Sequence, residues 1–375
     1  MIEFVEIRNA DRETIGIIDS AKSVIWTARY YGVGDFEIYT QATAEALEML
    51  KIGNYVTRPD DKHVGIIEAL TVSFSAQDGY MITAAGSFAK SILSRRLIYN
   101  LSGNTVFPVV ISGNVENAVR GLVSRSIISA TDAARNVPFI KLGAAAGISK
   151  TIVDSNGNAT QKQTSYGNLQ EYTDEVLQEY ELGAYMGIDR ETLDLLYFVF
   201  AGADRSGENT EENTPIVFSQ EFDSLLASDY SYDTATLKNT ALVGGEGEGT
   251  ARFYTLLSSA NVSGLDRREV FVDGADQPRK YENESGEETE YTAAEYTALL
   301  KSKARQELLN YIVVETFAGE VDITNSGLVY GQSFGVGDLV TIQDNKINKY
   351  ATTRIISVTE VQDDNGYQIS VEFGG

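Results

Sequence analysis

The sequence predicts a β-rich α+β fold in which two related β-barrel-like units bracket an α/β middle region. Three observations predict it. Strand-like alternation fills the first hundred residues, helices and strands mix in the centre, and the closing strands repeat the order of the opening ones. The corresponding division is residues 1–100, 101–315 and 316–375, with a helix at 292–311 packed on the last unit. At 375 residues the chain is long enough for two or three domains, each with its own buried core.

The opening unit reads as IEFVEI, SVIWTARYYG and GDFEIYT, each alternating apolar and polar residues, interrupted only by a short helix in TAEALEMLK at 43–51. Hairpins follow at Pro59-Asp60-Asp61 and at Asp78-Gly79, where Asp-Gly suits a tight reversed turn. In the middle region Asn114 is placed to cap a helix whose Val115, Val119, Leu122 and Val123 share one face. A hairpin around Asn156-Gly157 leads to a second helix with the stripe Leu169, Tyr172, Val176, Leu177 and Tyr180. Strands LLYFVFAG, TARFYTLLS and REVFVDG follow, separated by an acidic loop at 204–215. Thr292 and Glu295 match a capping box for the helix that ends near Tyr311. The chain then returns to strands, with turn signals at Asn325-Ser326-Gly327 and Asp364-Asn365-Gly366.

The two β ends resemble each other. GDFEIYT, beginning at Gly34, pairs with GEVDIT, beginning at Gly319; Gly53-Asn54-Tyr55-Val56-Thr57 pairs with Gly337-Asp338-Leu339-Val340-Thr341. Ile66-Ile67 pairs with Ile355-Ile356, and Asp78-Gly79-Tyr80 with Asn365-Gly366-Tyr367. Order and approximate spacing are kept, which points to duplication. Gly53 and Gly337 each precede a strand and suit a turn of positive φ, while alternation leaves one face of each unit polar and free for contacts or a lumen.

Composition excludes several chemistries. With no cysteine there is no disulfide, thiolate metal site or cysteine nucleophile. A net charge of -24 opposes phosphate and anionic lipid, leaving a solvated acidic surface or a negatively lined passage for DNA. The acidic amino terminus predicts no secretion leader, and no apolar run predicts a membrane span. His63, the single histidine, reads as an exposed turn residue and supports neither a zinc site nor a Ser-His-Asp arrangement. VGGEGEGTAR at 243–252 lacks the Lys-Ser/Thr of a phosphate loop, and Ala159 and Ser165 break a calcium-loop reading of the run from Asp154. Trp26, Tyr30 and Tyr31 read as core or interface, and Arg267-Arg268-Glu269 as solvated ion pairs. No catalytic, cofactor or metal residue is assigned.

The segments VIWTARYYGVGDFEIYT, LLYFVFAGADRS, LKNTALVGGEGEGTARFYTL and RREVFVD, with the closing GVGDLVTI and NGYQISVEFG, together resemble siphophage and prophage tail proteins of the baseplate-hub type. The resemblance implies two barrel-like domains similar to the tail-tube fold, a homotrimer ringing a DNA passage, and a bridge from the tail tube to tip or fibre proteins. It also implies a virion protein, made and assembled in the host cytoplasm, with no cofactor, no membrane insertion and no sequence-specific DNA contact. Some hub relatives continue into a cell-wall-cleaving domain, for which this chain leaves no evident place. Two other classes stay open: a carboxylate-dependent glycan hydrolase of the tail tip, and a host-surface adhesin.

Overall fold

The computed structural model of the protein describes residues 1–154, 157–282, 287–322 and 326–374. The opening unit contains β1 (Val5–Arg8), β2 (Thr14–Ile18), β3 (Ser23–Arg29), β4 (Asp35–Gln41), α1 (Ala44–Met49), β5 (Tyr55–Thr57), β6 (Val64–Ser75) and β7 (Gly79–Phe88). Period-two patterning sets its faces: in β4, Phe36 and Ile38 are buried while Glu37 and Gln41 are exposed. α1 begins at Thr43, whose hydroxyl accepts from the Ala46 amide at 3.0 Å.

The middle opens with the hairpin β8 (Asn100–Ser102) and β9 (Thr105–Phe107), followed by β10 (Val109–Ser112), α2 (Val115–Val123) and β11 (Ile140–Leu142). After these come β12 (Gln161–Thr164), α3 (Leu169–Glu179), β13 (Gly183–Ile188) and β14 (Leu195–Phe200). The apolar stripes of α2 and α3 bury Val119, Leu122, Leu169 and Val176 in one core with Tyr197 and Val199 of β14. Asn114 caps α2 as its sequence suggests, accepting from Asn117 N at 2.9 Å. Around the Asn156-Gly157 turn, Val153 and Ala159 form a single antiparallel bridge and Gly157 has φ +80; Asn156 itself lies outside the described residues.

Further along are β15 (Val217–Phe218), β16 (Leu225–Asp233), β17 (Thr240–Gly244), β18 (Tyr254–Ser258), β19 (Glu269–Asp273), β20 (Lys280–Glu282) and β21 (Glu288–Glu290). α4 (Ala293–Leu308) starts with the complete Thr292–Glu295 capping box. It packs Tyr296, Leu299 and Leu300 against Val243 and Val272 of the small sheet β18-β17-β19. The sequence had set this helix on the closing unit, but its buried stripe matches this sheet instead.

The chain ends in β22 (Val314–Val321), β23 (Leu339–Asp344), β24 (Lys349–Asp363) and β25 (Gly366–Gly374). Of the turn at Asn325-Ser326-Gly327, Asn325 lies outside the described residues and Gly327 has φ +66. The opening and closing strands share one 13-stranded sheet, ordered β16-β22-β25-β24-β3-β4-β7-β6-β5-β1-β2, with β23 beside β24 and β15 beside β23. Among the described residues this sheet is open, with no closed barrel. One core runs beneath both ends, from Val5, Trp26 and Phe36 to Val358, Val371 and Phe373. β16, drawn from the middle of the chain, joins it by pairing with β22.

Candidate functional site

The two ends meet where β24 pairs antiparallel with β3, from Ser357 opposite Arg29 to Asp363 opposite Ser23. On one face Thr27 and Thr359 bring their hydroxyls to 3.2 Å. On the other, Trp26 is fully buried against Phe36 and Phe88, so the core reading of this residue holds. Glu360, opposite Trp26, is also buried, and Arg58 binds both its oxygens at 2.8 and 3.0 Å. Arg58 also donates to Asp60 at 3.0 and 2.7 Å, and the Tyr367 hydroxyl donates to Glu360 at 2.5 Å. Burial works against the guanidinium charge, but Asp60 and Glu360 overcome it and raise its pKa. Burial and the neighbouring Glu360 both push the Tyr367 hydroxyl upward.

His63 departs from the sequence expectation. It is buried, stacks on Phe88 with centroids 4.8 Å apart, and holds Asp61 at 2.7 Å through Nδ1. The connection between β5 and β6 folds the ring inward, between Phe88 and Tyr185. Burial opposes ionisation of Asp61, yet His63 and Arg58 hold its carboxyl below the usual range. The ionised carboxyl therefore adds stability that is present above the ordinary aspartate range and is lost as pH falls through its folded value.

The paired turns of the two ends have the same hydrogen bonds. Gly53 N donates to Ile67 O at 2.8 Å and Ile67 N to Asn54 O at 2.9 Å; Gly337 N donates to Ile355 O at 2.8 Å and Ile355 N to Asp338 O at 2.9 Å. Both glycines have positive φ, +88 and +97. Val56 and Val340 follow, both fully buried, and a bulge comes after Ile67 in β6 as after Ile355 in β24. Gly79 and Gly366, at φ +74 and +114, turn the next hairpin, leaving Tyr80 exposed and Tyr367 half-buried.

Strand order matches too: β4-β7-β6-β5 at one end, β22-β25-β24-β23 at the other. The register shifts two of the sequence pairings. Ile67, not Ile66, stands where Ile355 stands, because Ile66 faces Tyr55 as Arg354 faces Leu339. Phe36 opposite Gly86 corresponds to Phe317 opposite Phe373, which displaces Gly34 from Gly319.

The face of the sheet opposite the core carries Glu37, Glu320 and Glu372, with Asp229 at its β16 margin. A cleft of about 750 Å³ lies below the junction, bordered by Arg58, Lys62, Tyr330 and Asp338. Lys62 sits 4.3 Å from the Tyr185 and Phe200 ring centroids, and burial lowers its pKa. Among the described residues no group of metal-ligating side chains gathers. Arg252 clasps the carbonyls of Gly244 and Gly245, filling the Gly-rich turn, and Arg267 pairs with Glu269 at 2.5 Å on the surface.

Sequence reasoning missed the Arg58–Glu360 pair, whose members are 302 residues apart. It also passed over β16, although Tyr230 and Tyr232 alternating with Ser and Asp are a strand signal.

The family described as Siphovirus ReqiPepy6 Gp37-like protein matches residues 4–375. No curated protein matches. A solved tail protein from Neisseria meningitidis MC58 is similar over 99% of this chain and 95% of its own, at 13% identity and TM-score 0.56. The 43 kDa tail protein of prophage MuSo2 from Shewanella oneidensis is similar over 99% of this chain and 98% of its own, at 10% identity and TM-score 0.56. At such identities the likeness is one of fold.

Proposed function

The chain belongs to the Siphovirus ReqiPepy6 Gp37-like family of phage tail proteins, and we propose that it is the structural hub of a tail tip. In this reading the two β ends are copies of one barrel-like unit, and three chains form a ring of six such units around the DNA passage. The observation that carries it is the matched strand order and turn bonding of the two ends, fused into a single sheet. Such a doubled subunit lets a threefold tip meet a sixfold tube. The middle region then lies outside the ring, where it contacts tip or fibre proteins.

The polar face with Glu37, Glu320 and Glu372 suits the wall of the passage, because carboxylates do not retain phosphate. The role is mechanical, exercised in the virion after assembly in the host cytoplasm. A pair of buried carboxylates suited to glycan cleavage is not what the junction offers: Glu360 is bound by Arg58 and Tyr367.

Imaging of assembled tails tests the proposal. Three copies per ring, with the two β ends of each superposing around an acidic opening, are expected. Any other copy number, or a basic lumen, overturns it.

A further inference from the structure

We propose that the outer face of the sheet β18-β17-β19 is a docking surface for one amphipathic helix of another tail protein, a helix whose apolar stripe is flanked by lysine or arginine. The proposal rests on the hub reading above, in which the middle region meets tip or fibre proteins, and specifies where that contact is made and what it accepts.

This sheet is covered on one side only. Ala241, Val243 and Val272 are buried against Tyr296, Leu299 and Leu300 of α4. On the other side Leu256, Leu242 and Phe271 stand in a row across all three strands, because Leu242 pairs with both of the others. They are 45%, 43% and 52% exposed, and Tyr254, on the same face of β18, is exposed as well. A solvated face of this chain is otherwise polar, as where β4 turns Glu37 and Gln41 outward. β17 pairs parallel with β19, and parallel strands ordinarily carry a layer on each face, which makes them read as unbroken apolar runs. Ala241-Leu242-Val243 and Val270-Phe271-Val272 read in that way. α4 covers one set of these side chains, and the other set lies bare.

The dimensions of the face select a helix. The outer two of three strands lie about 10 Å apart, the width of one helix, and α4 covers the opposite face in the same manner. An apolar stripe on the incoming helix would lie along Leu256, Leu242 and Phe271. The charges select its flanks. Arg252 lies on Gly244, donates to its carbonyl at 2.8 Å and pairs with Asp273, while Arg267 pairs with Glu269. In both pairs the carboxylate is much more exposed than the arginine that binds it. Glu246 and Glu248, just beyond β17, and Asp266, just before β19, are exposed too. The rim therefore presents carboxylates, which complement lysine and arginine and repel an acidic helix.

The full-length protein is titrated, in physiological salt, with a fluorescent helical peptide that carries a leucine stripe flanked by lysines, and with the same stripe flanked by glutamates. The lysine-flanked peptide is expected to bind saturably, one per chain. Leu242→Ser with Phe271→Ser is expected to weaken it at least tenfold, with circular dichroism unchanged. Because the acidic chain attracts any basic peptide, Leu101→Ser with Val106→Ser, which removes exposed apolar side chains elsewhere, serves as the control and is expected to leave binding as it was. Glu269→Lys with Asp273→Lys is expected to weaken the lysine-flanked peptide and admit the glutamate-flanked one. Equal binding to the first variant and to the control, or indifference to the rim charges, overturns the proposal. A dimer in native mass that the first variant abolishes would make a second copy the occupant, and would also overturn it. In images of assembled tails a helix of another protein is expected over Leu242. A ring of three with this face open to solvent overturns the docking and leaves the hub reading standing, whereas any other copy number overturns the hub reading and the peptide decides the docking.

Discussion

Gly53 and Gly337 share a left-handed backbone but not their surroundings. A Cβ on Gly53 meets nothing within 4 Å, whereas one on Gly337 would approach the Tyr30 ring to 2.4 Å. A β-branched replacement at Gly53 therefore pays for backbone strain alone, about 1–3 kcal/mol. At Gly337 the same change must also displace a buried ring, so Gly337→Val is expected to lower the urea midpoint clearly more than Gly53→Val. Equal losses would mean that Tyr30 yields freely. At the junction, Glu360→Ala removes the buried partner of Arg58 and leaves it only the half-exposed Asp60, and is expected to cost about 3–5 kcal/mol. The double change Arg58→Met with Glu360→Leu recovers most of that, since it removes both charges from the interior. A double variant as unstable as the single would show that the loss came from packing. The positive φ of both glycines was legible in the sequence, but the junction was not: Arg58 is one charge in a polar turn and His63 looked exposed, and contacts made across the fold decided both.

Elements whose signals are local were legible. The caps at Asn114 and Thr292 accept the amides expected of them, because capping involves residues three apart. The stripes of α2 and α3 are buried for the same reason: helical periodicity is a property of a short window. Glu116 of α2 shows the limit of that reading. Its carboxylate is buried and accepts from Ala146 N at 2.6 Å and Ile148 N at 2.9 Å, tying down a segment that has no helix or strand of its own. A glutamate in a first helical turn gives no sign of such a partner. Glu116→Ala leaves those amides without their acceptor, at a cost of roughly 1.5–3 kcal/mol. Hydrogen exchange is expected to quicken at Ala146 and Ile148 while α3 is unchanged; unaltered exchange there would mean that the segment is held by other contacts.

At the scale of the molecule, the sequence revealed that the chain begins and ends in similar strands, but not that those strands are neighbours. Alternation specifies which face of a strand is buried, and β3 and β24 both have it, yet nothing in either names the other as partner. Their pairing makes one sheet and one core from segments at opposite ends of the chain, and this has a consequence for folding. Two independent barrels would unfold separately, whereas a shared core predicts that damage at one end is felt at the other. The chain carries its own reporter, since its single tryptophan, Trp26, lies in β3. Phe373 in β25 is fully buried and packs on Phe218 and Phe317, away from the indole's own ring partners Phe36 and Phe88. Phe373→Ala is expected to cost about 3–5 kcal/mol, as a large side chain removed from a packed core does. If the two ends form one cooperative unit, the Trp26 fluorescence transition in urea moves to lower denaturant by the full amount, and in step with the loss of strand signal in circular dichroism. A Trp26 transition left where it was, with only the circular dichroism showing an early phase, would mean that the opening unit folds without the closing one, and that the β3–β24 pairing is a seam between two domains.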